Sequence, residues 1–233
     1  MGTSDLITLF FLVAAVVIFF QLRSVLGRRT GNEKPRYEQP AVRSRADVQE
    51  TGKNEGNVIT LPGVEKEREE ARLAAVDRVA APGTPINTGL RAIVEADPQF
   101  DPETFLKGAR SAYEMIVMAF ADGDRKTLKN LLSKEVYEGF NAAMSEREAR
   151  GETVKANFVG VEKAEITDAE IEKSEAKVTL RIVSQMISAT YGRDGGLVEG
   201  DPEEIAEVRD LWTFARDTRS RDPNWKLIAT ASE

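Results

Sequence analysis

The sequence contains no cysteine and no histidine in 233 residues. The first absence excludes disulfides, thiolate nucleophiles and sulfur-based metal sites. The second removes the commonest general base and the commonest metal ligand. Aromatic residues are sparse at 7%, with only two tryptophans, Trp212 and Trp225, so each one is worth placing. The net charge of −7 argues against nucleic acid as a partner, as does the lack of any basic stripe interleaved with aromatics outside one short arm. What remains is 41% hydrophobic and 30% charged, enough for one sizeable core with length left over for extensions.

One uncharged run stands apart. From Leu6 to Leu22 the chain reads LITLFFLVAAVVIFFQL, and as a helix it would span about 26 Å, close to a bilayer core. The preceding tail, residues 1–5, carries an acid and no base, and the run ends in bulky Phe19 and Phe20, so an uncleaved transmembrane helix fits better than a secretory signal. Arg23, Arg28 and Arg29 follow immediately and are the candidates for headgroup contact, including anionic lipid. Their position predicts a single-pass topology with the N-terminus outside and the bulk of the chain in the cytoplasm. Charge divides accordingly: residues 23–45 hold seven bases against Glu33 and Glu38, which leaves −11 for residues 46–233.

Residues 23–87 read as a basic arm and a charged linker rich in glycine, proline and asparagine. Within it, residues 64–80 match a helix with a thin Ala71, Ala75, Val79 stripe, either a solvated spacer or a docking helix for a partner. Residues 88–233 have the pattern of a compact domain. Asp101-Pro102-Glu103 is a helix start, and Phe105, Ala109, Ala112, Tyr113, Ile116 and Phe120 repeat at helical spacing until Asp122-Gly123. Asp124 caps a short helix with Leu128, Leu131 and Leu132; Ser133 caps a third with Val136, Tyr137, Phe140 and Met144, ending near Gly151.

Beyond Gly151 the period falls to two. Val178, Leu180, Ile182, Ser184 and Met186 share one face of a long strand, and residues 156–166 and 211–217 have similar strand composition. Breaks are expected at residues 167–169, 192–196 and 221–224. Trp212 and Phe214 share a face, with Trp225, Leu227 and Ala229 answering them on a returning strand. Helices first and strands afterwards predict α+β: helices on one face of an antiparallel sheet. No calcium loop is formed by Asp122-Gly123-Asp124, because Lys126 occupies the next alternating position, and no metal site or cofactor is expected.

The Phe105–Phe120 stripe, the Gly123-Asp124 break, Trp212-Thr213-Phe214 with Asp217, and Pro223-Asn224-Trp225 together resemble the Tim44-like domain family, over about residues 88–232. The resemblance implies a cone-shaped fold related to nuclear-transport-factor-two-like and cystatin-like domains, no catalysis, and a place beside a membrane translocase. With a span of its own and no Arg- and Ser-rich transit peptide, the chain is closer to bacterial inner-membrane relatives than to the mitochondrial import-motor adaptor.

Three functions follow as expectations. The first is a non-enzymatic adaptor or scaffold in protein translocation or membrane protein quality control, presented to a membrane protein complex. The second is a lipid- or peptide-tail-binding module, with Tyr113, Met186, Tyr191, Trp212, Phe214 and Trp225 as cavity or partner-surface residues. The third is an isomerase or hydrolase using Tyr113 with Asp210 or Asp217, since an apolar pocket can raise a carboxyl pKa into the range of acid or base work.

Overall fold

The computed structural model describes residues 62–233. The expected span at residues 6–22 and the basic arm at residues 23–45, with Arg23, Arg28 and Arg29, lie outside the described residues. Among the described residues no helix is long and apolar enough to cross a membrane.

Five helices precede four strands: α1 (Pro62–Val79), α2 (Pro85–Ala96), α3 (Pro102–Asp122), α4 (Arg125–Leu131) and α5 (Lys134–Arg150), then β1 (Thr153–Glu172), β2 (Glu175–Tyr191), β3 (Leu197–Asp217) and β4 (Lys226–Ser232). The strands form one antiparallel sheet in sequential order, and the helices pack against one face of it. This is the expected α+β arrangement.

Helix boundaries follow the capping chemistry closely. The Asp101 carboxylate accepts from Thr104 N–H at 2.7 Å, with Pro102 in the first turn. Gly123 ends α3 in the left-handed region at φ 73°, Asp124 caps α4, Ser133 caps α5, and Gly151 closes α5 at φ 73°. The inner face of β2 is the one its alternation predicts: Val178, Leu180, Ile182, Ser184 and Met186 are all buried.

Several details differ from the sequence reading. Helix α1 occurs where expected but is not a free spacer: Ala75 and Val76 are buried in the core, while Ala71 of the expected stripe is exposed. Helix α2 lies across the expected boundary at residues 87 and 88. Thr84 caps it and Pro85 opens it, and Leu90, Ile93 and Val94 fill the core. Its Gly89 packs so tightly on β1 that a Cβ there would lie 1.8 Å from the Ala169 carbonyl oxygen.

The expected break at residues 167–169 is a β-bulge inside continuous β1; the reversal comes at Lys173-Ser174, with Lys173 at φ 59°. Strand β3 starts at Leu197, well before the expected segment at 211. Another register shift, between Thr213 and Phe214 in the β3–β4 pairing, sets Phe214 against Leu227 and Trp212 against Thr230. Leu227 therefore points inward while Ala229, expected beside it, is exposed.

Candidate functional site

The chemistry of this fold concentrates where α3 crosses the sheet. Helix periodicity turns Phe105, Ala109, Tyr113 and Ile116 inward, and the pleat of β2 and β3 turns Ser184, Trp212 and Phe214 toward them. Tyr113 and Trp212 meet with ring centroids 4.5 Å apart, and Trp212 and Phe214 lie at 6.2 Å. Phe105 contacts Phe214 edge-on at 6.2 Å and Trp225 at 4.7 Å, and Phe100 touches both Phe105, at 5.8 Å, and Trp225, at 5.7 Å. The two tryptophans are thus joined through Phe105 and Phe214 in one aromatic spine. Such pairs add about 0.5–1.5 kcal/mol each beyond area burial.

At the inner end of the spine sits a polar group of three. The Tyr113 hydroxyl donates to Asp210 Oδ2 at 2.7 Å and lies 2.9 Å from the fully buried Ser184 hydroxyl. A phenol has one proton to give; with it committed to Asp210, Ser184 donates to Tyr113. Ser232 stands directly across the β3–β4 ladder from Asp210, where its hydroxyl favours the charged carboxylate. Burial raises the Tyr113 pKa, and the neighbouring Asp210 charge raises it further. Burial also pushes Asp210 up to about 6, against the hydrogen bonds from Tyr113 and Ser232, which favour its charged form.

A raised carboxyl pKa makes the folded state the better proton binder between 3.8 and about 6. The protonated group's contribution is present in full below the unfolded pKa and is lost as pH rises through the folded one. Asp210→Asn, which removes the charge and keeps the shape, is expected to melt at or above the parent at pH 7.5, by up to about 3 kcal/mol in stability. The gap should narrow to about half by pH 5 and close only as pH falls below 3.8. Thermal melts of both proteins across that range check it; a gap constant with pH would refute the titration of Asp210.

The expected site residues separate on this structure. Tyr113, Trp212 and Phe214 come together, all buried, and Trp225 joins them half-buried through Phe105 and Phe100. Met186 is buried two residues beyond Ser184 on the same face of β2. Tyr191 is not part of the cluster: it stands at the far end of β2 with the Lys155 ammonium 5.1 Å from its ring centroid. Tyr113, Trp212 and Phe214 are packed against one another. The Tyr113–Asp210 pair is real, with Asp210 half-buried and the neighbouring Ser232 exposed. Asp217 is exposed and accepts from Arg219 N–H in the turn after β3. Sequence reasoning did not identify Ser184 as polar machinery, nor Asp97 and Arg216, a buried ion pair joining the α2–α3 corner to the end of β3. The signal for Ser184 was a lone hydroxyl in an otherwise apolar inward row. Among the described residues no group of histidine, cysteine or carboxylate side chains could hold a metal ion.

Helices on a four-stranded antiparallel sheet, with Trp212 of β3 and Trp225 just before β4 packed toward α3, define the class, and the Tim44-like domain model matches residues 86–232. The chain belongs to the Tim44-like domain family. Its relatives include the human mitochondrial import inner membrane translocase subunit TIM44, 20% identical over 148 residues, covering 62% of this chain and 33% of the relative. The probable translocase subunit tin-44 of Caenorhabditis elegans is 23% identical over 143 residues, covering 60% of this chain and 34% of that protein. The chain thus spans about a third of the length of the curated relatives it matches. Among solved structures, the intermembrane space region of chloroplast protein ARC6 superposes at a TM-score of 0.40 and 12% identity, over 58% of this chain and 98% of that one.

Proposed function

We propose that this protein is a non-enzymatic adaptor, anchored to a membrane through residues 6–22, that presents its Tim44-like domain to a membrane protein complex engaged in protein translocation. The observation that carries the reading is the family match over residues 86–232, with relatives named as translocase subunits. The interior supports it: Tyr113, Trp212 and Phe214, three of the residues expected to line a cavity, pack on one another, and the Tyr113 hydroxyl is engaged by Asp210 and Ser184. Tethering raises the local concentration of the domain's surface at the bilayer, so contacts weak in solution become effective. In this reading the anchor is single-pass in a bacterial inner membrane, the domain is cytoplasmic, and the arginines after the anchor rest on anionic headgroups.

The test is capture in place. The full chain, crosslinked in native membranes and purified, is expected to bring down a defined set of membrane proteins that a domain-disrupted version of the same length does not. Recovery of lipid alone by the intact chain would instead favour a tail-binding module.

A further inference from the structure

Among the described residues, part of the outer side of β3 has no strand partner. From Leu197 to Val208, β3 is paired on one side by β2, while β4 joins its other side only from Asp210 onward. The last bond on that side is the Glu233 N–H donated to the Arg209 carbonyl. The edge also swells outward. Between the Ser188–Asp201 and Met186–Ala206 pairs, β2 contributes only Ile187, whereas β3 contributes Pro202, Glu203, Glu204 and Ile205.

Three of the large hydrophobic residues that stay exposed in the described structure lie on this stretch: Leu197 at 53%, Val198 at 58% and Ile205 at 54%. Between and beside them stand Glu199, Asp201, Glu203, Glu204 and Glu207. The nearest base on the strand, Arg209, is already paired with Glu207 at 2.7 Å.

The bulge and Pro202 blunt the edge against long strand pairing, and charge of either sign would serve that purpose. A predominantly acidic surface with exposed apolar residues between the charges, whose neighbouring Arg150 near Glu199 is already paired with Glu152, does more: it selects. A second copy would bring acid against acid and be repelled. The complementary surface is a cationic segment carrying scattered apolar side chains. Residues 23–45 of this same chain have that chemistry, with seven bases against two acids and with Val25, Leu26, Tyr37 and Val42 among them. Residues 46–61 separate that segment from α1 and can reach at most about 55 Å, against a radius of gyration of about 16 Å for a domain of this size. Being in the same chain, the segment competes at a high effective concentration with any free ligand.

We infer that residues 23–45 dock along the acidic outer edge of β3, Leu197–Glu207, of the same molecule. The same bases serve anionic headgroups, so docking on the domain and binding to a charged membrane exclude each other. The inference rests on the bare edge and the charge of the two segments, and stands or falls separately from the adaptor reading.

The chain's lack of cysteine makes the test direct. In the full chain, Val42→Cys and Val198→Cys are joined by a short bismaleimide, and the product is mapped by mass spectrometry. An intramolecular link is expected, in yield several-fold above that of Val42→Cys with Ser111→Cys on exposed α3. Asp201→Lys, Glu203→Lys and Glu204→Lys together should abolish the excess. Adding Arg36→Glu, Arg43→Glu and Arg45→Glu should restore it. All six positions lie on the exposed β3 edge or in the arm, and circular dichroism verifies that the domain stays folded. The inference is overturned by equal yields at Val198 and Ser111, by a link found only between two copies, or by a yield that ignores the charge reversal.

Discussion

Asp97→Ala is expected to destabilise the domain by about 3–5 kcal/mol, because it leaves a buried guanidinium without its counter-charge. Asp97 and Arg216 retain only 6% and 11% side-chain exposure, and their ion pair links the end of α2 to the end of β3. The other Asp97 oxygen accepts from Gln99 N–H at 3.1 Å, which shapes the turn into α3, and Arg72 of α1 reaches the same corner through the Pro98 carbonyl. Among the described residues Arg216 Nε has no hydrogen-bond partner, so the group has little in reserve once the carboxylate is gone. For a domain of this size the loss corresponds to a melting temperature lower by about 10 °C or more. Replacing both partners, as in Asp97→Leu with Arg216→Met, should recover most of the loss, since an apolar pair of similar volume avoids the desolvation cost. Chemical denaturation of the two single variants and the double variant checks this; a double variant no better than Asp97→Ala would show that the corner needs the ions themselves.

Gly89→Ala is the second large effect, and its sign is the informative part. In a helix interior, glycine to alanine normally stabilises by about 0.5–1 kcal/mol. At Gly89 the new methyl group would strike the Ala169 backbone of β1, which cannot swing aside as a side-chain tip can. The expected outcome is destabilisation by about 1–3 kcal/mol or more, with α2 lifted from the sheet. Gly108→Ala on α3 is the internal control: nothing lies within 4 Å of its would-be Cβ, so the ordinary gain should appear. Parallel melts of the two variants decide the matter, and equal shifts would mean that α2 does not approach β1 this closely.

These positions mark where the sequence was and was not legible. The caps at Asp101, Asp124 and Ser133 and the glycine stops at Gly123 and Gly151 depend on local backbone chemistry, so their side chains announce them. The inward row of β2 is equally plain, because a half-buried strand must alternate. Helix α2 was hidden by the Ala81-Pro82-Gly83 segment before it, although Thr84-Pro85 is an ordinary helix start. The bulges in β1 and in the β3–β4 pairing were not legible, since register depends on the partner strand and not on the strand that slips. The same holds for the buried pair of Asp97 and Arg216, which are 119 residues apart.

In the candidate site, the shared face of Trp212 and Phe214 was readable from their spacing. The partnership of Tyr113 with Asp210 could be named but not weighed, because its meaning turns on Ser184 and Ser232, which arrive from two other strands. With those hydroxyls in place, the group reads as a satisfied polar lock within the aromatic spine.

The measurement that bears most directly on the adaptor reading is quantitative crosslinking of the full-length chain in its own membranes, beside an equally long version carrying Gly89→Ala and Asp97→Ala. The account predicts that the intact chain captures a reproducible set of translocation-related membrane proteins, saturating with expression, and that the destabilised version loses them while remaining in the membrane. An identical capture by both versions, or no protein captured by the intact chain, would contradict it.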